Sequence, residues 1–90
     1  MSKYCPNRPL TISEAGNVLD EGLRAIEAGS VEIDLGHVNS VDSAGVAVLL
    51  AWCRAARARG VTLIFEEVPE TLKSLAALYG VSEFLRLSKN

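Results

Sequence analysis

The sequence VEIDLGHVNSVDSAGVAVLL, residues 31–50, decides the fold of this chain. Residues 31–35 have the pattern of a buried strand, a short polar loop follows, and Asp42 and Ser43 open an apolar helix. A strand that leads into a helix through small residues brings free backbone N–H groups and a hydroxyl to the surface. Such a place suits an anion, a phosphorylated side chain or a docking partner. Asp42 or Ser43 also fits the N-cap of the helix, whatever else the site does.

The composition is that of one globular domain, which we expect to span residues 1–90. The chain has 90 residues, of which 49% are hydrophobic and 22% charged, and its formal net charge is −2. Without a basic excess or many aromatic residues, we expect no nucleic-acid binding. No stretch approaches the roughly 20 apolar residues that span a bilayer, and no signal peptide is evident. We therefore expect a cytoplasmic protein, without direct membrane insertion, whose Cys5 and Cys53 are free thiols.

Strand and helix patterns alternate along the chain. We predict a short strand at Leu10 and Ile12, then helices and strands in turn at residues 17–28, 31–35, 44–59, 61–65 and 69–79, with a last helical turn at 82–87. Glycines are predicted to end three of the helices, at Gly29, Gly60 and Gly80. This order predicts an α/β fold with a small, mostly parallel sheet. Both hydrophobic strands are expected to be buried on two faces, which requires a layered sandwich or a partner.

The helix at residues 44–59 has more apolar surface than packing on a sheet requires. At about 100° per residue, one side carries Gly45, Leu49, Trp52 and Ala56, which we assign to the sheet. The other side carries a row that we predict to be an exposed apolar strip bounded by basic residues: Ser43, Val46, Ala47, Leu50, Arg54 and Arg57. Such strips mark protein docking sites. The alternative is that the row belongs to the core.

Enzymatic interpretations have little support in the sequence. His37, Asp42 and Ser43 are the residue types of a hydrolase triad, but three such residues in one tight loop are typical of a polar turn. Cys53 lies among apolar helical neighbours, which favours a buried, inert thiol. One histidine and two distant cysteines do not suit zinc, and no phosphate-binding G-x-x-x-x-G-K-[ST] loop is present. We expect no enzyme activity and no cofactor.

The segment IDLGHVNSVDSAGVAVLL, followed by VTLIF and VPETLKSLAALYGVSEFL, resembles the STAS domain (sulfate transporter and anti-sigma factor antagonist). The resemblance implies a small sheet with helices packed on one face and a functional edge at the loop before the D-S-x-G helix. STAS domains usually begin with a strand hairpin and a glycine-containing turn. LTISEAGN, residues 10–17, has no glycine at the turn position, so either the first strand is missing or MSKYCPNRPL supplies an irregular version. An unpaired edge strand would leave a homodimer open as an alternative.

Two branches of the STAS family imply different functions. In anti-sigma factor antagonists the second hydroxyl residue after the Asp is phosphorylated, and the added charge of about −1.5 to −2 drives the partner off. Here Ala44 occupies that position, so the switch would depend on phosphorylation of Ser43. This chain is more similar to the MlaB-like branch, the small STAS subunits of Mla phospholipid-transport ABC complexes.

The MlaB-like resemblance implies a protein partner, the ATPase subunit of an ABC transporter. It implies that Ser43 is the contact hydroxyl, and the residues expected to bind the partner are Asp42, Ser43, Val46, Ala47, Leu50 and Arg54. The partner-switching regulator controlled by phosphorylation of Ser43 remains the alternative function.

Overall fold

Strands and helices alternate along the chain in the computed structural model, which describes residues 3–85 except for the side chains at positions 83 and 84. The elements are β1 (Lys3–Tyr4), α1 (Ala15–Glu27), β2 (Glu32–Asp34), α2 (Ser43–Ala58), β3 (Ile64–Glu66), α3 (Glu70–Leu78) and α4 (Ser82–Leu85). The strand order is β1-β2-β3, with both pairs parallel. Because crossovers between parallel strands are right-handed, an order that advances in one direction places α1 and α2 on the same face. The predicted small, parallel α/β sheet is confirmed.

The two faces of the sheet differ in burial. Ile33 and Phe65, paired across β2 and β3, are fully buried on the helix face. The opposite face carries Lys3, Glu32 and Ile64 in register, and the Ile64 side chain is 48% exposed. The prediction that both faces are buried is therefore wrong. Side chains alternate along a strand, and the outward positions of β2 are acidic, so only one set enters the core.

A tryptophan joins the first two helices. Trp52 of α2 is fully buried, and its Nε1–H donates a hydrogen bond of 3.1 Å to the Leu19 carbonyl of α1. Its ring meets Tyr4 edge to face, with ring centroids 5.8 Å apart. A Cβ atom on Gly22 would overlap the indole, so the glycine is what lets α1 approach Trp52 so closely. The α1–α2 contact therefore depends on a large residue opposite the smallest one.

The helix ends agree with the sequence pattern. Gly29, Gly60 and Gly80 follow α1, α2 and α3, and each has a positive φ. Left-handed backbone at these positions suits glycine, which is why the three predicted stops are confirmed. The predicted last turn begins as α4, where Leu85 is fully buried; its predicted end at residue 87 lies outside the described residues.

The N-terminal segment departs from the prediction. Leu10 forms an isolated parallel bridge with Val41, and Ile12 is 78% exposed, so no strand forms there. The first strand lies earlier, at Lys3–Tyr4, within MSKYCPNRPL, the segment that was expected to supply an irregular first strand if the strand is not missing. A two-residue strand gives no periodic signal, which is why the pattern of the sequence did not locate it.

Polar contacts hold this N-terminal segment on α1. The Tyr4 hydroxyl donates to Glu21 Oε1 at 3.1 Å, and Arg8 Nε donates to Glu21 Oε2 at 2.9 Å. Arg8 also lies 3.2 Å from a Glu14 carboxylate oxygen. Burial, followed by the neighbouring Glu21, raises the pKa of the Tyr4 phenol, so the hydroxyl stays protonated and donates.

None of the helices within the described part of the chain combines the length and the apolar character that a membrane crossing requires.

Two glycine-to-alanine variants in α1 test the contact with Trp52. Gly22→Ala should lower the free energy of unfolding by about 1–3 kcal/mol, because the new methyl group overlaps the indole. Gly16→Ala should raise it by up to about 1 kcal/mol, because nothing lies within 4 Å of its Cβ position and alanine favours the helix. Chemical denaturation measures both. Equal effects of the two substitutions would show that the Trp52 contact does not control helix packing.

Candidate functional site

The start of α2 is held by Asp42, which is the N-cap of the helix. Asp42 Oδ1 accepts a hydrogen bond from the Ala44 N–H at 2.8 Å, and Oδ2 accepts one from the Ile12 N–H at 3.1 Å. The Asp42 N–H donates to the Leu10 carbonyl at 3.0 Å. Both carboxylate oxygens therefore bind backbone within the chain. Asp42 positions the site, and its charge already occupies the helix N-terminus where an anion would otherwise bind.

Close packing explains the glycine in the first turn of α2. A Cβ atom on Gly45 would lie 3.0 Å from the Leu10 carbonyl oxygen and 3.2 Å from Val41 Cγ1. These distances are tighter than ordinary van der Waals contacts, so a larger residue would push the helix away from the Leu10–Val41 bridge. The D-S-x-G segment is thus a packing device as well as a cap.

Ser43 presents the exposed hydroxyl of the site. Its side chain is exposed and makes no hydrogen bond to another residue of the described chain. The next residue, Ala44, is half-buried and has no side-chain oxygen. One hydroxyl group therefore stands free at the beginning of α2, beside a carboxylate that is already engaged.

The predicted docking strip is partly exposed. Ser43, Ala47 and Arg54 are exposed, and Leu50 is half-buried against the core. Val46 is only 4% exposed and belongs to the core, so its prediction as a surface residue is wrong. The periodicity of α2 identifies the side that faces the sheet and α1, but it does not show that α3 and α4 also pack against α2. We call Ser43, Ala47, Leu50 and Arg54 the outer strip.

The four residues assigned to the inner side of α2 are all buried: Gly45, Leu49, Trp52 and Ala56. Two of them do not match the assignment to the sheet, because Trp52 packs on Gly22 of α1 and Gly45 packs on Leu10 and Val41.

An open cavity of about 340 Å³ adjoins the outer strip. Leu50, Cys53 and Arg54 line it together with Arg57 and Val81. Val81 lies in the α3–α4 turn, and sequence reasoning missed it because no motif marks this residue after Gly80. Burial raises the pKa of the Cys53 thiol, and Arg57 opposes that effect. The thiol form is therefore favoured, in agreement with a structural cysteine rather than a nucleophile.

The structure assembles no triad from His37, Asp42 and Ser43. The Asp42 carboxylate binds two backbone N–H groups, and the Ser43 hydroxyl has no imidazole partner. Over the described residues, no three His, Cys, Asp or Glu side chains come together in a way that could hold a metal ion.

A comparison with protein families finds a match over residues 9–87, to the family described as "Mlab, STAS domain". The match covers α1 to α4 and includes the whole outer strip. A search of curated proteins finds no match.

Removal of the Asp42 side chain tests its role as a cap. Asp42→Ala should lower the free energy of unfolding by about 1–2 kcal/mol, because the Ala44 N–H loses its acceptor and the Ile12 contact is broken. Ser43→Ala should change stability by less than about 0.5 kcal/mol, because the hydroxyl has no partner among residues 3–85 as far as they are described. Urea denaturation of both variants measures the difference. If Ser43→Ala lowers the free energy of unfolding as much as Asp42→Ala does, the assignment of Asp42 as the residue that caps α2 is contradicted.

Proposed function

The chain belongs to the MlaB-like STAS family, and from this premise we propose that it is a non-catalytic accessory subunit of a phospholipid (Mla-type) ABC transporter. Its partner is the ATPase subunit, which it binds through the outer strip. The observation that carries the proposal is the position of Ser43, a free, exposed hydroxyl at the start of a helix whose next turn exposes Ala47.

The outer strip has the surface chemistry of a protein contact. Small side chains at Ser43 and Ala47 let a partner backbone approach α2, and Leu50 offers apolar area at its edge. Arg54 adds a positive charge at the far end of the strip. Apolar centres with charged rims are typical of interfaces between proteins. Val46 supports the strip from below, and Asp42 contributes by fixing the first turn.

The proposal places the protein on the cytoplasmic side of the inner membrane, held there by the transporter and not by insertion into the bilayer. ATPase subunits of ABC transporters act on that side, and a bound accessory subunit would support their assembly and activity. The transport that it serves would contribute to the lipid asymmetry of the outer membrane. It needs no cofactor for this role.

The alternative function is a partner-switching regulator of the anti-sigma factor antagonist type. The free hydroxyl of Ser43 is accessible to a kinase, which is the observation that keeps this alternative open. Ala44 favours the transporter role, because it occupies the position that is phosphorylated in the antagonists and has no side-chain hydroxyl.

Substitutions on the outer strip should abolish the complex without unfolding the protein. We expect Ser43→Arg and Ala47→Glu each to weaken binding to the ATPase subunit of the same organism's Mla-type transporter by at least about tenfold, or about 1.4 kcal/mol. Both side chains are exposed, so steric and charge conflict arises only in the complex. Co-purification and titration calorimetry measure binding, and circular dichroism confirms the fold.

Matched controls carry the same new side chains in α1 and at the residue that follows it. Asn17→Arg and Ala28→Glu alter exposed positions that do not belong to the outer strip, and both should leave binding unchanged. If the strip variants bind as well as these controls, the outer strip is not the interface. If the unaltered protein does not bind the ATPase subunit, the transporter role itself is wrong.

Mass spectrometry separates the two candidate functions. After incubation with ATP and an anti-sigma kinase from the same organism, we expect no phosphate on Ser43, and the Ser43→Ala variant is the control. A phosphate on Ser43 that weakens binding to the kinase would favour the regulator over the transporter subunit.

A further inference from the structure

Two adjoining cavities form one groove along the outer side of α2. The cavity beside the outer strip, of about 340 Å³, shares Cys53 and Arg57 with a second cavity of about 250 Å³. Val61 and Leu85 line the second cavity, so the groove extends from the α3–α4 turn to the segment before β3. We call it the arginine groove. The part beside the outer strip is mostly apolar, the second part is mixed, and both are open to solvent.

The two arginines of the groove have no partner among the side chains that the structure describes. Arg54 and Arg57 make no hydrogen bond or ion pair with another residue of the described segment. Lys3 and Arg8, by contrast, both pair with carboxylates. Positions three apart lie on the same side of a helix, about one turn from each other. The arginine groove therefore combines apolar area with two guanidinium groups that are free to bind carboxylates.

The carboxylates near the sheet and α1 face elsewhere. Glu32 and Asp34 lie on the outward positions of β2, and Glu21 is engaged by Tyr4 and Arg8. No described carboxylate pairs with Arg54 or Arg57, so both guanidinium groups are open to carboxylates of another molecule. Because guanidinium groups bind carboxylates in bidentate geometry, acidic side chains spaced by one helical turn fit Arg54 and Arg57 together.

We propose that the arginine groove binds an acidic amphipathic helix of the ATPase subunit, with apolar residues on Leu50, Cys53 and Val81 and carboxylates on Arg54 and Arg57. This inference rests on the proposed function and deepens it. It extends the interface beyond the outer strip to the C-terminal half of α2 and the α3–α4 turn, and it states the charge of the partner. Helices that place an apolar face in an open groove are a common mode of recognition.

The two cysteines provide a direct test of whether the groove is covered. Cys53 is half-buried in the groove, and Cys5 is exposed near β1. Alkylation by iodoacetamide at about pH 9, where thiolates form, is followed by mass spectrometry for the free protein and for its complex with the ATPase subunit. We expect the rate at Cys53 to fall by at least about tenfold in the complex, while Cys5 serves as the internal reference.

Charge reversal tests the acidic character of the partner. The double variant Arg54→Glu/Arg57→Glu should weaken binding by at least about tenfold, and the Kd that remains should depend less on salt. Arg24→Glu is the matched control, because Arg24 lies in the last turn of α1 as Arg57 lies in the last turn of α2. The control should bind like the unaltered protein.

The outcomes separate this inference from the proposed function. A complex that forms while Cys53 reacts as in the free protein overturns the groove proposal and leaves the outer strip intact. A complex that tolerates the double variant Arg54→Glu/Arg57→Glu also overturns it, and leaves Ser43, Ala47 and Leu50 as the proposed contact. Absence of any complex with the unaltered protein overturns both. If the protein alone sediments as a dimer and its Cys53 reacts much more slowly than Cys5, the groove is covered by a second copy of the chain. That result would overturn the proposal that a helix of the ATPase subunit binds there.

Discussion

The contact between Trp52 and Gly22 is the constraint on which the other features of the structure depend. The indole fills the space that a side chain at Gly22 would occupy, and its N–H binds the Leu19 carbonyl. Because a large ring has few ways to fit against a backbone, this contact fixes how α2 is rotated about its axis. The rotation decides that Ser43 and Arg54 face outward. It also places Tyr4 against the ring, so the first strand is anchored by the same side chain.

A few residues at the beginning of α2 both hold the first turn in place and expose a hydroxyl group. Asp42 caps the helix and holds the Ile12 N–H, while Gly45 allows the first turn to touch Leu10. These contacts make the turn rigid and leave the Ser43 hydroxyl without an internal role. A rigid turn with one free hydroxyl loses little conformational entropy when a partner docks. The arrangement therefore lowers the entropic cost of the docking contact that we propose.

The charge distribution gives the molecule two unlike surfaces. The open face of the sheet carries Glu32 and Asp34 on β2, whereas the outer side of α2 carries Arg54 and Arg57 around apolar area. Helices on one face leave the sheet exposed on the other, so the single core lies between them. A partner that approaches α2 meets positive charge and apolar groups together. This asymmetry supports a directional contact with one kind of surface.

The order of the parallel α/β elements and the helix ends could be predicted from the sequence, which also narrowed the cap of α2 to Asp42 or Ser43. Each depends on local chemistry: alternation along strands, left-handed backbone at Gly60 and Gly80, and a carboxylate before free N–H groups. The burial of Val46 and the place of Val81 in the arginine groove are seen only in the tertiary structure. Both depend on α3 and α4 packing along the side of α2, and the periodicity of one helix carries no information on which neighbours cover its flanks.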